Sequence, residues 1–482
     1  DIPQNININY GIKSINNIPY GHKISLKKIK KGDFIFKYGQ IIGISNKNIE
    51  PGEHVHSHNM GYSEFKREYI RKDIRNDINK SEKTEYFKGF KRNNGSSGTR
   101  NYIGLISTVN CSATVVKKIS DKINNYLKNN NFDNIDGAVC LKHSSGCGMN
   151  TSGYAMNVFN RTIEGFKIHP NFGKVFVIGL GCECAQISLY NNDQEKRNIE
   201  YLNIQDEGGT NEIITKVTSK IINQLNEINS ISRTNIPISE LTVALQCGGS
   251  DSYSGITANP ALGFASDMII DHGGTTLLSE TPEIYGAEHL LFEKSSNEKN
   301  IEKLNKQIEW WKKYVASNDS TLDNNPSPGN KKGGLTTILE KSLGAVSKAG
   351  NRNMVDVLDY AEQVKTKGFN FMNSPGYDPV SVTGQVASGA NVICFTTGRG
   401  SCFGFKPTPS IKIATNTNMY NKLSEDMDIN AGTIMDNVAS VNEVGKEIFD
   451  KIISVASGEK SKSEINDYGD DEFNPWIIGA TL

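Results

Sequence analysis

Four times along this chain an apolar, strand-like run leads into a turn that carries a cysteine, three of them among glycines. Tyr102 to Val109 leads to Cys111, and Gly137 to Leu141 leads to His143-Ser144-Ser145-Gly146-Cys147-Gly148. Lys174 to Leu180 leads to Gly181-Cys182-Glu183, and Leu241 to Gln246 leads to Cys247-Gly248-Gly249-Ser250-Asp251. Helical patterns lie between them at Ser112 to Leu127, Thr151 to Phe166 and Asn211 to Ile228; in the last, Ile213, Ile214, Val217, Ile221, Ile222, Leu225 and Ile228 recur at helical spacing. Strands alternating with helices predict parallel sheets with crossover helices. The Cys-Gly turns then fall at the carboxyl ends of strands, the edge where such sheets receive ligands.

With 482 residues the chain is too long for one core, and its composition changes along it. Residues 1–62 hold short β-type runs, Phe34-Ile35-Phe36 and Ile41-Ile42-Gly43-Ile44, between turns such as Lys31-Gly32-Asp33 and Pro51-Gly52-Glu53. They predict a small all-β domain. Residues 63–96 are densely charged without an apolar stripe and read as a linker or extended arm. Residues 97–235 form a first α/β domain, and 236–482 a second, larger one with helices near Ile301 to Ser317 and Val441 to Ala456. Ser320 to Gly334 reads as a loop, and Pro475-Trp476-Ile477 is apolar enough to dock.

The stretch from Gln246 to Gly286 concentrates chemistry: Cys247, Asp251, Asp267, Asp271, His272, Glu280 and Glu283 stand among glycines. A hard divalent ion needs oxygen ligands, which makes Asp251, Glu280 and Glu283 candidates, with Asp267 and Asp271 as caps or turn residues. Cys247, Cys111, Cys147 and Cys182 are candidate soft ligands at strand ends, and thiolates admit an iron–sulfur cluster, although no CxxCxxC run is present. His54, His56 and His58 are two apart, so on a strand they share a face, as a transition-metal site or proton relay requires. Arg100, which ends a Gly/Ser-rich segment, and Arg399, in Thr-Thr-Gly-Arg-Gly, suit bidentate capture of a carboxylate. Lys406 and Lys412 are further cations, either of them a possible base. No phosphate-binding glycine loop follows a strand in the required context.

These blocks, with Asn110-Cys111-Ser112-Ala113-Thr114-Val115 and Ile411-Lys412-Ile413-Ala414-Thr415-Asn416, resemble the altronate/galactarate dehydratase family in content and order, over nearly the whole chain. The resemblance implies a β-clip (SAF-like) first domain, then two parallel-sheet domains of Rossmann-like variant type, the middle one serving a homodimer. It implies a metal-dependent hydro-lyase that takes the proton beside a sugar-acid carboxylate and expels the neighbouring hydroxyl, giving a 2-keto-3-deoxy product. Fe2+ is the first expectation, with Mn2+, Mg2+ or Ca2+ as substitutes and an iron–sulfur cluster ranked after them. The family carries a Val-His-x-His-Asn element at the end of its β-clip domain, and the Glu53 to Asn59 run resembles it, which would make His54 or His56 a site residue; Ser250 and His143, inside the matching blocks, are assigned to the substrate. A related sulfolactate lyase, losing sulfite and split into two subunits, is the alternative chemistry, and a non-catalytic sugar-acid binder is the alternative class.

Charge excludes other partners: 53 basic residues balance 53 acidic ones, so neither nucleic acid nor an anionic membrane is favoured. No run of about 18 apolar residues and no signal-type N-terminus is present, and eight cysteines are too sparse for a disulfide scaffold. A cytoplasmic protein is the expectation.

Overall fold

The strand Thr242–Cys247 is buried over nearly its whole length and sits at the middle of a seven-stranded sheet. A computed structural model describes residues 1–8, 11–65, 84–191, 199–295 and 297–479. In spatial order the sheet runs Met354–Leu358, Phe369–Met372, Thr275–Leu278, Thr242–Cys247, Val392–Thr397, Ser410–Ala414 and Ile429–Asn430, and every pairing is parallel. Strands buried on both faces need unbroken apolar or small residues, and Val392–Thr397 is buried at every position. Succession reverses direction at Thr242–Cys247: the next strand lies on one side of it, and Val392–Thr397 on the other. Such a switch point opens a crevice at the carboxyl ends.

The middle domain is a four-stranded parallel sheet in the order Gly137–Leu141, Tyr102–Ser107, Phe172–Gly179, Ile199–Asn203. Its helices, Ala113–Lys128, Gly153–Lys167 and Thr210–Asn229, fall within two residues of the periodicities. The strand Ile199–Asn203 has no counterpart in the sequence reading.

The N-terminal residues form short antiparallel pairings, among them Phe34–Lys37 with Gln40–Ser45 and Lys23–Ile24 with His54–Val55. Ile35, Ile42, Ile49, Val55 and Met60 make a core too small to stand alone, and Leu343 of the C-terminal domain packs against it. Leu343 belongs to the helix Ile338–Val346, which docks the small domain: Thr337 Oγ1 donates to the Ile42 carbonyl at 2.5 Å, and Glu340 pairs with Lys23 at 2.8 Å and Lys37 at 3.0 Å.

Two expectations change. Most of the predicted linker, residues 66–83, lies outside the described residues, but its end is a strand, Tyr86–Lys91, paired antiparallel with Thr234–Pro237 and Ser97–Gly98. Its alternation, buried at Phe87, Gly89 and Phe90 between exposed lysines, was hidden by the charge. The boundary expected at 235 thus falls inside a strand. The segment Ser320 to Gly334 carries a short helix, Pro328–Lys332, closed by a Ser327–Asn330 capping box. Trp476 docks as expected, stacked on Trp311 with ring centres 5.3 Å apart.

Candidate active site

Three groups meet where the two central strands end: Cys247 closes one, Glu280 follows Thr275–Leu278, and Glu283 lies in the next turn. Their ligand atoms lie within 4.8 Å of one another, and all three residues are buried. Glu280 adopts φ 73°, a left-handed conformation that a non-glycine residue holds only when its surroundings compel it; Ser374 Oγ accepts its backbone N–H at 3.0 Å.

Two lysines from the docking helix and the turn after it complete the cluster. Lys341 Nζ lies 2.5 Å from Glu283 Oε1 and 2.8 Å from Asn325 Oδ1, while Lys348 Nζ donates to Cys247 Sγ at 2.8 Å. Asn325 Nδ2 also donates to Glu283 Oε1 at 2.7 Å. Asp378 completes the set: a Cβ on Gly248 would collide with its carboxylate, so only glycine fits there. Cys247, Glu283, Lys341 and Asp378 share the wall of a cavity of about 450 Å3, with Tyr377, Asn325, Ser327 and Asn330 around them.

Burial and charge divide these acids. Burial raises Glu283, but Lys341 outweighs it and holds the carboxyl below its usual range. Burial and the Glu283 charge push Glu280 well up, and among the described residues neither of its oxygens has a hydrogen-bond partner. Asp378 is pushed up to about 7 by burial and the Glu283 charge. The Cys247 thiol is pushed up to about 11 by burial, against the pull of Lys348.

An orphaned buried carboxylate beside a second carboxylate and a thiol fits a divalent cation, which would supply the partners Glu280 lacks. With a single thiol, the cluster does not fit an iron–sulfur centre. Cys111, Cys147 and Cys182 lie elsewhere, exposed at the carboxyl edge of the middle sheet, on loops joined by Asn110 N–H to the Ser145 carbonyl and Ala185 N–H to the Gly146 carbonyl. Among the described residues their thiols do not come within 4.8 Å of one another as a group of three.

Cys247 and Glu280, with Glu283, are therefore brought together, and other expected residues are not. Asp251 is committed to its neighbours: its carboxylate accepts from Thr415 Oγ1 at 3.0 Å, Ser254 N at 2.9 Å, Tyr253 N at 3.1 Å and Asn416 Nδ2 at 3.2 Å. Ser250 beside it is buried, its carbonyl held by Asn330 Nδ2. Arg100 is no carboxylate clamp for a ligand: its guanidinium is buried, paired with Glu464 at 2.6 Å and bonded to the Thr99, Val455 and Glu459 carbonyls. The Gly95 to Arg100 segment is likewise no anion cradle, since Ser97–Gly98 is a paired strand. Both ring nitrogens of His143 are used, on the Ser107 carbonyl and the Ser145 N–H. Lys406 pairs with Asp467 and Asp470. Lys412 is buried, with Asp426 3.8 Å away and its ammonium without a hydrogen bond among the described residues, but it does not line the cavity. Arg399 is exposed at the end of Val392–Thr397. Asp267 and Asp271 are structural, holding Asn351 and Arg352.

His54 and His56 are gathered in the small domain, with His22, which the sequence reading passed over. It also passed over Lys341, Lys348 and Asp378. The lysines had a weak signal: they stand seven residues apart in the segment Lys341-Ser342-Leu343-Gly344-Ala345-Val346-Ser347-Lys348, where few charges occur.

A parallel-sheet edge that buries three carboxyls, a thiol and two lysines, four of these groups lining one cavity, is the candidate site of an α/β protein. The comparisons define the family. Models described as the altronate/galactarate dehydratase SAF domain, the D-galactarate dehydratase/altronate hydrolase second domain, and the D-galactarate/altronate dehydratase C-terminal domain match residues 1–63, 89–229 and 238–481. The altronate dehydratase of Bacillus subtilis (strain 168) is 36% identical over 94% of this chain and 90% of its own length. The galactarate dehydratase (L-threo-forming) of Escherichia coli (strain K12) is 37% identical over 93% and 88%. The (2R)-sulfolactate sulfo-lyase subunit beta of Chromohalobacter salexigens is 29% identical over 78% and 94%. The chain belongs to the altronate/galactarate dehydratase family, hydro-lyases that dehydrate sugar acids. Among the described residues, no helix is long and apolar enough to cross a membrane.

Proposed function

We propose that this protein dehydrates a hexonate or hexarate of the altronate or galactarate type to its 2-keto-3-deoxy acid, with a divalent metal, in the cavity bounded by Cys247, Glu283, Lys341 and Asp378. The observation that carries the reading is the convergence of those four groups at the carboxyl end of the central strand. A volume of about 450 Å3 suits a small polar ligand. The sulfo-lyase alternative has weaker support, 29% identity against 36% and 37%.

Cys247, Glu280 and Glu283 would hold the metal, and a bound divalent cation supplies electrophilic stabilisation of the enolate form of a substrate carboxylate. One thiol among carboxylates suits Fe2+ or Mn2+ better than Mg2+ or Ca2+, which prefer all-oxygen shells. Lys341 presents its ammonium to the cavity and attracts the anionic end of the sugar acid. Asp378 takes the proton from the carbon beside the carboxylate. The C–O bond at the next carbon then breaks, and the leaving hydroxyl departs as water with the proton Asp378 has taken. The enol left behind tautomerises to the keto acid. A carboxyl near 7 is matched to this shuttle, since it exchanges protons in both directions at neutral pH.

Keto-acid formation from a panel of hexonates and hexarates tests the substrate class, and Asp378→Asn tests the residue. The variant should lose about 100- to 10,000-fold in kcat and lose the acid limb of the pH profile, along which the native rate rises as Asp378 ionises. An Asn variant that keeps both the rate and that limb removes Asp378 from the mechanism.

A further inference from the structure

The small domain holds a second cluster that the dehydration scheme does not use. His22, His54 and His56 place one ring nitrogen each within 4.8 Å of the others. His22 Nδ1 lies 3.0 Å from His54 Nε2, and His22 Nε2 lies 3.2 Å from the Lys332 carbonyl of the C-terminal domain. The rings crowd together: His54 and His56 stack with centres 5.5 Å apart, and His22 lies 4.6 Å from His56 and 5.1 Å from His54.

We infer that His22, His54 and His56 form a second metal site, a three-imidazole centre for a borderline dication such as Zn2+, Fe2+ or Co2+, which pins the small domain against the loop lining the catalytic cavity.

Three features support it. The first is an unmet bond: among the described residues the buried His56 Nδ1 has no hydrogen-bond partner, a cost to the fold unless a ligand answers it. The second is convergence: three half-buried rings from two separate segments bring one ligand nitrogen each to within 4.8 Å of the others, a spacing one ion can bridge. The third is electrostatic compatibility: the nearby Lys23 ammonium is neutralised by Glu340 at 2.8 Å and capped by the Gly334 carbonyl at 2.7 Å. Imidazole is a ligand of the borderline metals, whereas Mg2+ and Ca2+ want oxygen.

The location gives the site its consequence. The short helix Pro328–Lys332 touches both clusters: Ser327 and Asn330 line the catalytic cavity, and the Lys332 carbonyl reaches His22. The turn bearing His22 is also tied to the catalytic domain, for Ser252 Oγ donates to the Gly21 carbonyl at 2.5 Å. Ordering the three histidines about one ion therefore orders the contact between the domains.

Cobalt titration of the full-length, chelator-stripped, reduced protein tests the inference without reference to turnover. Two classes of Co2+ should bind. One shows thiolate-to-cobalt charge transfer that Cys247→Ser removes. The other shows ligand-field bands alone, survives Cys247→Ser, and is lost with about one equivalent of cobalt in His22→Gln and in His56→Gln. Histidine variants that take up as much cobalt as the parent overturn the site and leave a hydrogen-bonded imidazole chain. Should those variants fail to fold, X-ray absorption of Cys247→Ser carrying one equivalent of Zn2+ decides: imidazole scattering supports the site, and a shell without it refutes it. Because sulfur marks only the first site, failure of the catalytic metal and failure of this one read differently.

Discussion

The two clusters of this protein have the same number of candidate ligands and opposite electrostatics. Around Cys247, Glu280 and Glu283 the fold gathers charge: two carboxylates and a thiol face two lysines in full burial. Around His22, His54 and His56 it gathers neutral rings at half-buried positions. Charges are costly to bury unless they are paired: Lys341 answers Glu283, while Glu280 has no hydrogen-bond partner among the described residues; neutral imidazoles carry no such cost. The first arrangement suits chemistry that moves charge, and the second suits holding two parts of the molecule in register. Asp251 and Ser252 are the joint between them. Asp251 packs against Gly333, Ser252 N–H donates to the Gly333 carbonyl at 3.0 Å, and Ser252 Oγ reaches Gly21.

Glu280→Gln is expected to break the charged cluster with the largest effect, a loss of about 1,000-fold or more in turnover at saturating metal, the several kcal/mol of an electrophilic cation. The thermal midpoint should be equal or higher, because an unpaired buried carboxyl is a cost to the native state. Measuring rate and melting together makes this sharp: a variant that loses both would show that Glu280 holds the fold.

Glu340→Gln is expected to loosen the neutral cluster from the charged one. Lys23 and Lys37 would lose a carboxylate only 3% exposed. The cost should be about 2–3 kcal/mol by denaturant unfolding, at or just below the range for a buried pair because both lysines reach water. The sign with pH follows from the lowered group. Despite burial, the two lysines bring Glu340 down to about 2, so its contribution is complete above the ordinary carboxyl range and is lost as pH falls through about 2. That acid dependence should be absent in the variant.

The architecture was legible because periodicity is local. Val441–Ala456 stands where its spacing put it, and the four strand-to-cysteine turns end parallel strands. The site was legible in part. Cys247 and Glu280 announce themselves beside glycines at strand ends, but Lys341, Lys348 and Asp378 arrive from about 60 to 130 residues away, by sheet topology that no local pattern encodes. Arg100 and Asp251 show the converse: a residue type suited to a ligand is equally suited to other parts of the chain, and Glu464, Thr415 and Ser254 reach them first. His22 had no histidine neighbour in sequence, and only the pairing of Lys23–Ile24 with His54–Val55 brings it to the others.

Asp251→Asn tests the joint. Replacing one oxygen by an amino group turns it toward Asn416 Nδ2 or the backbone N–H groups of Tyr253 and Ser254, all donors. A loss of about 1–2 kcal/mol in stability is expected, with metal binding at Cys247 unchanged. Loss of that metal would return Asp251 to the ligand set.

Arg399→Lys should have the smallest effect of all. Arg399 follows the strand next to Cys247, and its main-chain N–H is fixed to the Gly249 carbonyl at 2.9 Å, as is that of Gly398 at 3.1 Å. The loop therefore keeps its shape whatever the side chain is. The guanidinium itself is exposed and does not line the cavity that Lys341 and Asp378 share. An exposed cation at the rim contributes little to a bound anion because water screens it, so kcat and KM should stay within about twofold of the parent when Lys keeps the charge. Steady-state kinetics with the best hexonate or hexarate decides it. A tenfold rise in KM would mean that the planar fork of Arg399 closes over the substrate and that the cavity has a second carboxylate clamp. That outcome would favour a dicarboxylic hexarate, since a hexonate has only one carboxylate for Lys341 to attract.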